Sequence, residues 1–370
     1  GMKRGMVADR QAALAALNKL IELAEQQFDA DIKKIVIGVA GSHLRHRTIA
    51  THIGVSGQIV QPSDIHRLTL KVESEYQADD REILHTVPLS FRIDGREPVD
   101  DPVGFSGHKL TCNFFLIDSD RFYLRDMVSL CNQAGLEVEN IYSEPLASAS
   151  VTVDEEHKRL GCAVIDIGGG TTDGTVFVQG KPNDIFTVNI GGKLMTSDLS
   201  IGLGIPLTEA EKVKFHFGIQ PVSAEQALSV VDQHGHAKSV GWKEIYPILG
   251  PRIYELAKLI DTQLTMTKPM LRAGLLLTGG GGEVLGIDRF MSKILNIPAS
   301  REQVRIPTST VNVFSGEREL SSDTKAPRFA TVTGLINLQL CRIADENMFK
   351  KQTWASRYFG QFINWIKEMS

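Results

Sequence analysis

Two strand-to-glycine turns leave this chain few folds to choose from. In the first, Ala163-Val164-Ile165-Asp166-Ile167 runs into Gly168, Gly169 and Gly170, and then into Thr171, Thr172 and Asp173. In the second, Leu275-Leu276-Leu277-Thr278 runs into Gly279, Gly280, Gly281 and Gly282. Short apolar runs closed by glycine read as buried strands. Glycine lets the backbone take positive φ and lets its amides approach an anion closely. Asp166, at a strand end, is placed to hold water on a divalent cation, and the hydroxyls of Thr171 and Thr172 can donate to phosphate oxygens. The second turn suits close approach to a nucleoside, with the next helix offering its N-terminus. The separation of 110 residues between Gly168 and Thr278 fits one nucleotide gripped by both turns with helical material between them. Neither turn is a GxxxxGK[ST] loop, and neither has the GxGxxG setting of a dinucleotide fold.

The remaining sequence narrows the class. At 370 residues the chain is long enough for about two or three domains, and its 42% apolar and 23% charged residues are those of an ordinary globular protein. No apolar stretch approaches the ~20 residues of a membrane span. A net charge of −4 supplies no basic field for nucleic acid, so no nucleic-acid partner is expected. Cys112, Cys131, Cys162 and Cys341 are scattered, with neither CxxC nor zinc spacing, and read as reduced thiols. Gly1 before Met2 reads as the scar of a cleaved tag, and without a secretory signal the cytoplasm is the expected compartment.

Periodicity predicts helices at about 8–28, 62–75, 121–134, 248–264, 284–295 and 326–341. It predicts strands at 34–41, 83–87, 90–93 and 109–117, at 162–167 and 175–178, a strand ending at Ile190, and one at 274–278. Residues 193–270 read as mainly helical and 345–352 as a polar linker.

With these turns stand Gly38-Val39-Ala40-Gly41-Ser42-His43, Asp80-Arg81-Glu82-Ile83-Leu84-His85, Asp101-Pro102-Val103-Gly104, Ala134-Gly135-Leu136-Glu137-Val138 and Glu144-Pro145-Leu146-Ala147-Ser148-Ala149. Together they resemble the actin-like ATPase superfamily and, within it, the bacterial cell-division family FtsA, over essentially the whole chain. The resemblance implies an α/β fold: the actin-like two-lobed ATPase fold, with ribonuclease H-like duplicated domains and an FtsA-type 1C subdomain. Residues 1–37 would be a remnant of subdomain 1A, 38–125 the 1C unit, 126–178 again 1A, 179–193 2A, 194–265 2B and 266–325 2A. Residues 326–344 would return to 1A as a helix, 345–353 would be the linker, and 354–370 an amphipathic membrane-targeting helix.

Site roles carry over by position. The resemblance implies ATP and Mg²⁺ as ligands, with Asp166 holding Mg²⁺ through water and the loop from Gly168, Gly169 and Gly170 through Thr171, Thr172 and Asp173 facing the phosphates. Glu211 and Lys214, three apart on one helical face, would meet the ribose and base, and Gly279 to Gly282 the adenosine. Glu144 would orient the attacking water. Partners would be the C-terminal peptide of the tubulin-like ring protein FtsZ on 2B, with 212–217 and 252–264, including Arg252, as candidate surfaces. Further partners would be the membrane surface and other copies of the chain in a polymer made through 1C and neighbouring subdomains. The location would be the cytoplasmic face of the cell membrane at the division septum. Two alternatives are a pilus-assembly scaffold of the PilM type and a phosphotransferase of the sugar-kinase branch. The first lacks an amphipathic membrane helix, and the second needs an aspartate base that no motif here assigns.

Family members open with a strand–turn–strand that carries the first phosphate loop, and Lys3 to Val7 resemble only the end of the third strand. That loop supplies charge-assisted contacts worth about 1.5–3 kcal/mol each. At most a weak ATPase is therefore expected, and ATP binding by the chain as given is expected to be impaired; a micromolar affinity in calorimetry with Mg-ATP would contradict this. In the tail, Phe359, Phe362, Ile363 and Ile366 recur at helical spacing, and Tyr358, Trp365 and Met369 widen the stripe opposite Gln361, Asn364, Lys367 and Glu368. Such a helix lies in a membrane interface. Its basic content is modest, so a single helix should bind weakly and gain from avidity in a polymer.

Overall fold

A computed structural model describes residues 1–3, 5–76, 80–220, 227–305 and 325–351, the side chains of 344–351 excepted. Two short strands, β1 (Met2–Lys3) and β2 (Met6–Val7), pair ahead of α1 (Arg10–Phe28), which Asp9 caps by accepting from the Ala12 amide at 3.0 Å. After β3 (Lys34–Val39) comes a unit of β4 (Leu44–Gly54), α2 (Pro62–Glu75), β5 (Arg81–Ile93) and β6 (Lys109–Asp120). Its antiparallel sheet runs β4-β6-β5. Its own core includes Leu68, Val72, Phe91, Leu110, Phe114 and Leu116. The chain returns through α3 (Arg121–Gln133) to β7 (Glu137–Ser143), which pairs parallel with β3.

The second half begins with α4 (Glu144–Thr152) and α5 (Glu155–Leu160), followed by β8 (Cys162–Ile167), β9 (Thr172–Val178) and β10 (Lys181–Val188). Then come α6 (Gly192–Leu203), α7 (Leu207–Phe217), β11 (Ala227–Val231), β12 (Ala237–Gly241) and α8 (Trp242–Leu264). The last elements are β13 (Gly274–Thr278), α9 (Ile287–Leu295), β14 (Ala299–Arg301) and α10 (Ala330–Lys351). A mixed sheet of order β10-β9-β8-β13-β14 carries the main core. Ile165, Ile167, Leu275 and Leu277 from the sheet meet Met195, Leu199, Val213, Ile253 and Ile260 from the helices. Such β-branched and leucine-rich strands are buried on both faces, as a central strand between helical layers must be.

The structure departs from the sequence expectation in several places. The strand β4 was not anticipated, because Arg45, Arg47 and His52 stand exposed along it and its burial alternation changes phase at Thr48. Residues 81–93 form one strand rather than two, with register shifts at Ile83/His85 and Pro88/Ser90. Proline is accommodated there because β5 is an edge strand. The segment 193–270 contains the β11–β12 hairpin and is not helical throughout. The helix expected from about 284 begins at Ile287, after a 3₁₀ turn at Gly280–Glu283. The final helix runs on to Lys351, through most of the stretch read as a linker. Cys112, Cys131 and Cys162 are buried free thiols.

Candidate functional site

Strands β8 and β13 lie side by side and parallel, with Asp166 opposite Thr278. Both glycine turns therefore leave the sheet at the carboxyl ends of neighbouring strands, the edge where ligands bind in open α/β sheets. A third glycine pair joins them. The amide of Gly192, the first residue of α6, donates to Gly168 O at 2.8 Å, and that of Lys193 donates to Gly169 O at 2.9 Å. A Cβ on Gly192 would lie 3.6 Å from Gly168 O and 3.9 Å from Gly281 Cα, and one on Gly191 2.7 Å from the Gly169 carbonyl. Three backbone segments thus converge where side chains have little room. Gly169 and Gly170 are exposed, and among the described residues their amides have no partner.

Around this point stand three carboxylates. Asp166 and Asp173 face one another across the β8–β9 ladder and are buried, each 6% exposed. Glu144 is the first residue of α4 and partly buried. Gly38 of β3 makes room for it, since a Cβ there would come within 2.7 Å of Glu144 Cγ. The amide of Ser143, just before it, donates to Nε2 of half-buried His85 at 2.9 Å. Burial pushes that imidazole down to about 4, which keeps it a neutral acceptor.

None of the three carboxylates has an ion-pair partner among the described residues. Burial, then the neighbouring charges of Asp173 and Asp166, raises Glu144 to about 8. Burial, with a further push from Asp166, raises Asp173 to about 7. Asp166 also stands above its usual range because it is buried, although hydrogen bonds from Thr331 and Ser148 oppose that. Thr331 Oγ1 of α10 donates to Asp166 Oδ2 at 2.8 Å, and Thr187 Oγ1 of β10 donates to Asp173 Oδ1 at 2.6 Å.

The other sequence-expected residues fall in several places. Thr171 Oγ1 donates to Asp173 Oδ2 at 3.0 Å. Thr172 is fully buried and donates to Ile190 O at 2.7 Å, so its hydroxyl is engaged by the backbone. Lys214 is 2% exposed and reaches the start of α6, donating to Glu211 Oε2 at 2.7 Å, Thr196 Oγ1 at 2.9 Å and Gly192 O at 3.3 Å. Glu211 and Lys214 therefore stand beside the start of α6, next to the first glycine turn. In the second turn Gly279 has φ of +78°, and a Cβ on it would sit 2.2 Å from Asp166 Oδ1. A Cβ on Gly281 would strike Ile167 Cγ2 at 2.3 Å, whereas Gly280 has ordinary clearance and Gly282 is buried.

Arg252 lies elsewhere, on α8. Its guanidinium bridges to α6 through Asp198, at 2.6 and 3.2 Å, and also pairs with Glu255. The tail residues Tyr358, Phe359, Phe362, Ile363, Trp365 and Ile366 lie outside the described residues.

Sequence reasoning missed Gly191, Gly192, Lys193, Thr187 and Thr331. The glycine pair after a strand was a readable signal. Thr331, 165 residues from Asp166, had none. Among the described residues no group of three acids, histidines or thiols is arranged to cage a metal directly. A cation here would have to be held through water and a ligand's own oxygens.

Comparison with known proteins places these elements in a family. Residues 163–334 match the family model described as cell division protein FtsA, and residues 41–118 match the SHS2 domain inserted in FtsA. The chain is 30% identical over 344 residues to the cell division protein FtsA of Neisseria meningitidis, covering 91% of this chain and 81% of that protein. It is 25% identical over 350 residues to the FtsA of Escherichia coli, covering 91% and 81%. Among solved structures, that of the PilM-PilN type IV pilus biogenesis complex aligns with a TM-score of 0.59 at 16% identity, covering 92% of this chain and 88% of that one. MreB5 of Spiroplasma citri bound to ADP aligns at 0.55 with 15% identity, covering 94% and 79%. These two likenesses are of fold, and the fold is that of the actin-like ATPases.

Proposed function

The chain belongs to the FtsA family of cell-division proteins, and from that premise we propose that it is an ATP-binding adaptor that tethers the FtsZ ring to the cytoplasmic membrane and polymerises. The observation that carries the nucleotide part is the meeting of two glycine turns at the ends of adjacent parallel strands, beside three carboxylates that lack counter-charges among the described residues. The exposed amides of Gly169 and Gly170 receive phosphate oxygens. Gly280 and Gly281 present a flat backbone to the purine, with Glu211 and Lys214 along the ribose side.

A hydrated Mg²⁺ fits this donor set, because it neutralises carboxylates that burial otherwise penalises. Asp166 and Asp173 would hold its water shell, and bound with ATP it offsets the phosphate charge. Glu144, carried on the first turn of α4, aims a carboxyl into the same space. With its protonation midpoint near 8 it is largely protonated at neutral pH without a ligand. With a cation held there, Glu144 would release its proton at neutral pH and its carboxylate would accept from a water and orient it.

The adaptor part rests on the family and on the tail. The aromatic stripe from Tyr358 to Ile366 lies in the cytoplasmic face of the membrane at the septum, the surface of α7 and α8 near Arg252 receives the C-terminal peptide of FtsZ, and polymerisation through the inserted unit multiplies weak anchors. No helix among the described residues is long and apolar enough to cross a membrane. Deletion of 354–370 is expected to remove co-sedimentation with liposomes containing anionic lipid while leaving the thermal melt unchanged. Undiminished sedimentation of the truncated chain would defeat the membrane role.

A further inference from the structure

We propose that Lys193 is the phosphate-sensing cation of this cleft, the residue by which the chain distinguishes nucleotides according to phosphate number. The inference rests on the nucleotide reading above and assigns a role to a residue that reading does not use.

Three cationic side chains border the glycine turns. Lys214 is committed to Glu211, Thr196 and Gly192 O, at 2.7, 2.9 and 3.3 Å. Arg328 lies beside Gly280, its Cβ 3.8 Å from where a Cβ would stand, and its guanidinium faces Glu283 at 3.6 Å. Lys193 differs from both. Its ammonium has neither ion pair nor hydrogen bond among the described residues, and the residue is exposed.

Its place is nevertheless fixed. Its amide is tied to Gly169 O at 2.9 Å. Its aliphatic stem lies along the first turn, since a Cβ on Gly169 would stand 3.4 Å from Lys193 Cε, 3.7 Å from Cγ and 3.8 Å from Cδ. The ammonium therefore sits at the mouth of the turn, on a stem long enough to follow a ligand.

A polyphosphate entering this cleft meets three carboxylates and needs compensating charge. The N-terminus of α6 supplies little through its amides, because those of Gly192 and Lys193 already donate to Gly168 O and Gly169 O. Lys193 is left as the uncommitted cation at the turn among the described residues. A compact ammonium on a flexible stem suits a phosphate tail whose length varies.

The test is a titration of the full chain and its K193Q and K193R variants with ATP, ADP and adenosine in the presence of Mg²⁺, read by ligand-dependent thermal shift. K193Q is expected to weaken ATP about tenfold, ADP less and adenosine not at all. K193R should restore ATP binding, and about 0.5 M salt should shrink the difference. The ligand-free melt should stay unchanged, because the side chain is exposed. ATP binding unaltered in K193Q, or an equal loss for adenosine, overturns the role of Lys193 and leaves the cleft standing. No binding of ATP or adenosine by the unmodified chain, even at the high nucleotide concentrations that the impaired affinity expected above calls for, overturns the cleft reading and this inference with it.

Discussion

Between pH 6.5 and pH 8.5 the ligand-free chain is expected to lose stability, on the order of 2 kcal/mol, which for a chain of this length lowers its melting temperature by roughly 2–3 °C. The cause is the carboxylate group at the cleft. Glu144 and Asp173 carry protonation midpoints near 8 and 7, above their ordinary values of 4.5 and 3.8. The folded chain therefore holds protons across this window that the unfolded chain has already released. Stability then falls as pH rises and levels off above the folded midpoints.

Two other shifted groups, Asp154 and His85, titrate lower. Asp154, depressed to about 2, loses its stabilising effect only in acid. His85, near 4, adds stability as pH rises through its ordinary 6.5, so it opposes the carboxylates mainly below the chosen window and only weakly at its lower end. A series of melts on the chain and on the Glu144→Gln, Asp173→Asn double variant isolates the effect. The variant should show the flatter profile. Identical slopes in both would remove the electrostatic account of the cleft.

The second large effect is expected at Gly279. Its φ of +78° is costly for any side chain, and a Cβ there would overlap Asp166 Oδ1 at 2.2 Å and Ile167 O at 2.6 Å. Both obstacles belong to the first turn, so Gly279→Ala must push the two turns apart. A destabilisation of about 2–4 kcal/mol is expected, together with loss of nucleotide binding. Gly280→Ala is the matched control, because a Cβ there meets only Arg328 Cβ at 3.8 Å. It should melt like the parent while still reducing nucleotide affinity, since it places a methyl group where the purine is proposed to lie. Equal melting of both variants and the parent would show that the turns are not locked together.

The site's skeleton was legible in the sequence because it is local. A buried run ending in glycine declares both the strand and the turn, and β8 and β13 each do so within a few residues. The adjacency of the two turns was not local. It depends on parallel pairing of β8 with β13 across a hundred residues, which the spacing of the turns and the family resemblance suggested but no local pattern declares. Thr331 and Thr187 were invisible because isolated threonines far along the chain carry no signal until packing delivers them to Asp166 and Asp173. Strand β4 was hidden because charged and small residues are exposed along it and its burial alternation changes phase midway. The β11–β12 hairpin was hidden because two five-residue strands between helices leave too short a pattern to read. Thr172 shows the opposite case. Its sequence position invited a phosphate contact, but the Ile190 carbonyl needed a donor and took the hydroxyl.

The most direct test of the cleft is a crystal structure of the chain with Mg²⁺ and a non-hydrolysable ATP analogue. The account predicts phosphate oxygens on the amides of Gly169 and Gly170, with the purine against Gly280 and Gly281. An analogue bound away from both turns, or saturating analogue that leaves them without density, would contradict it.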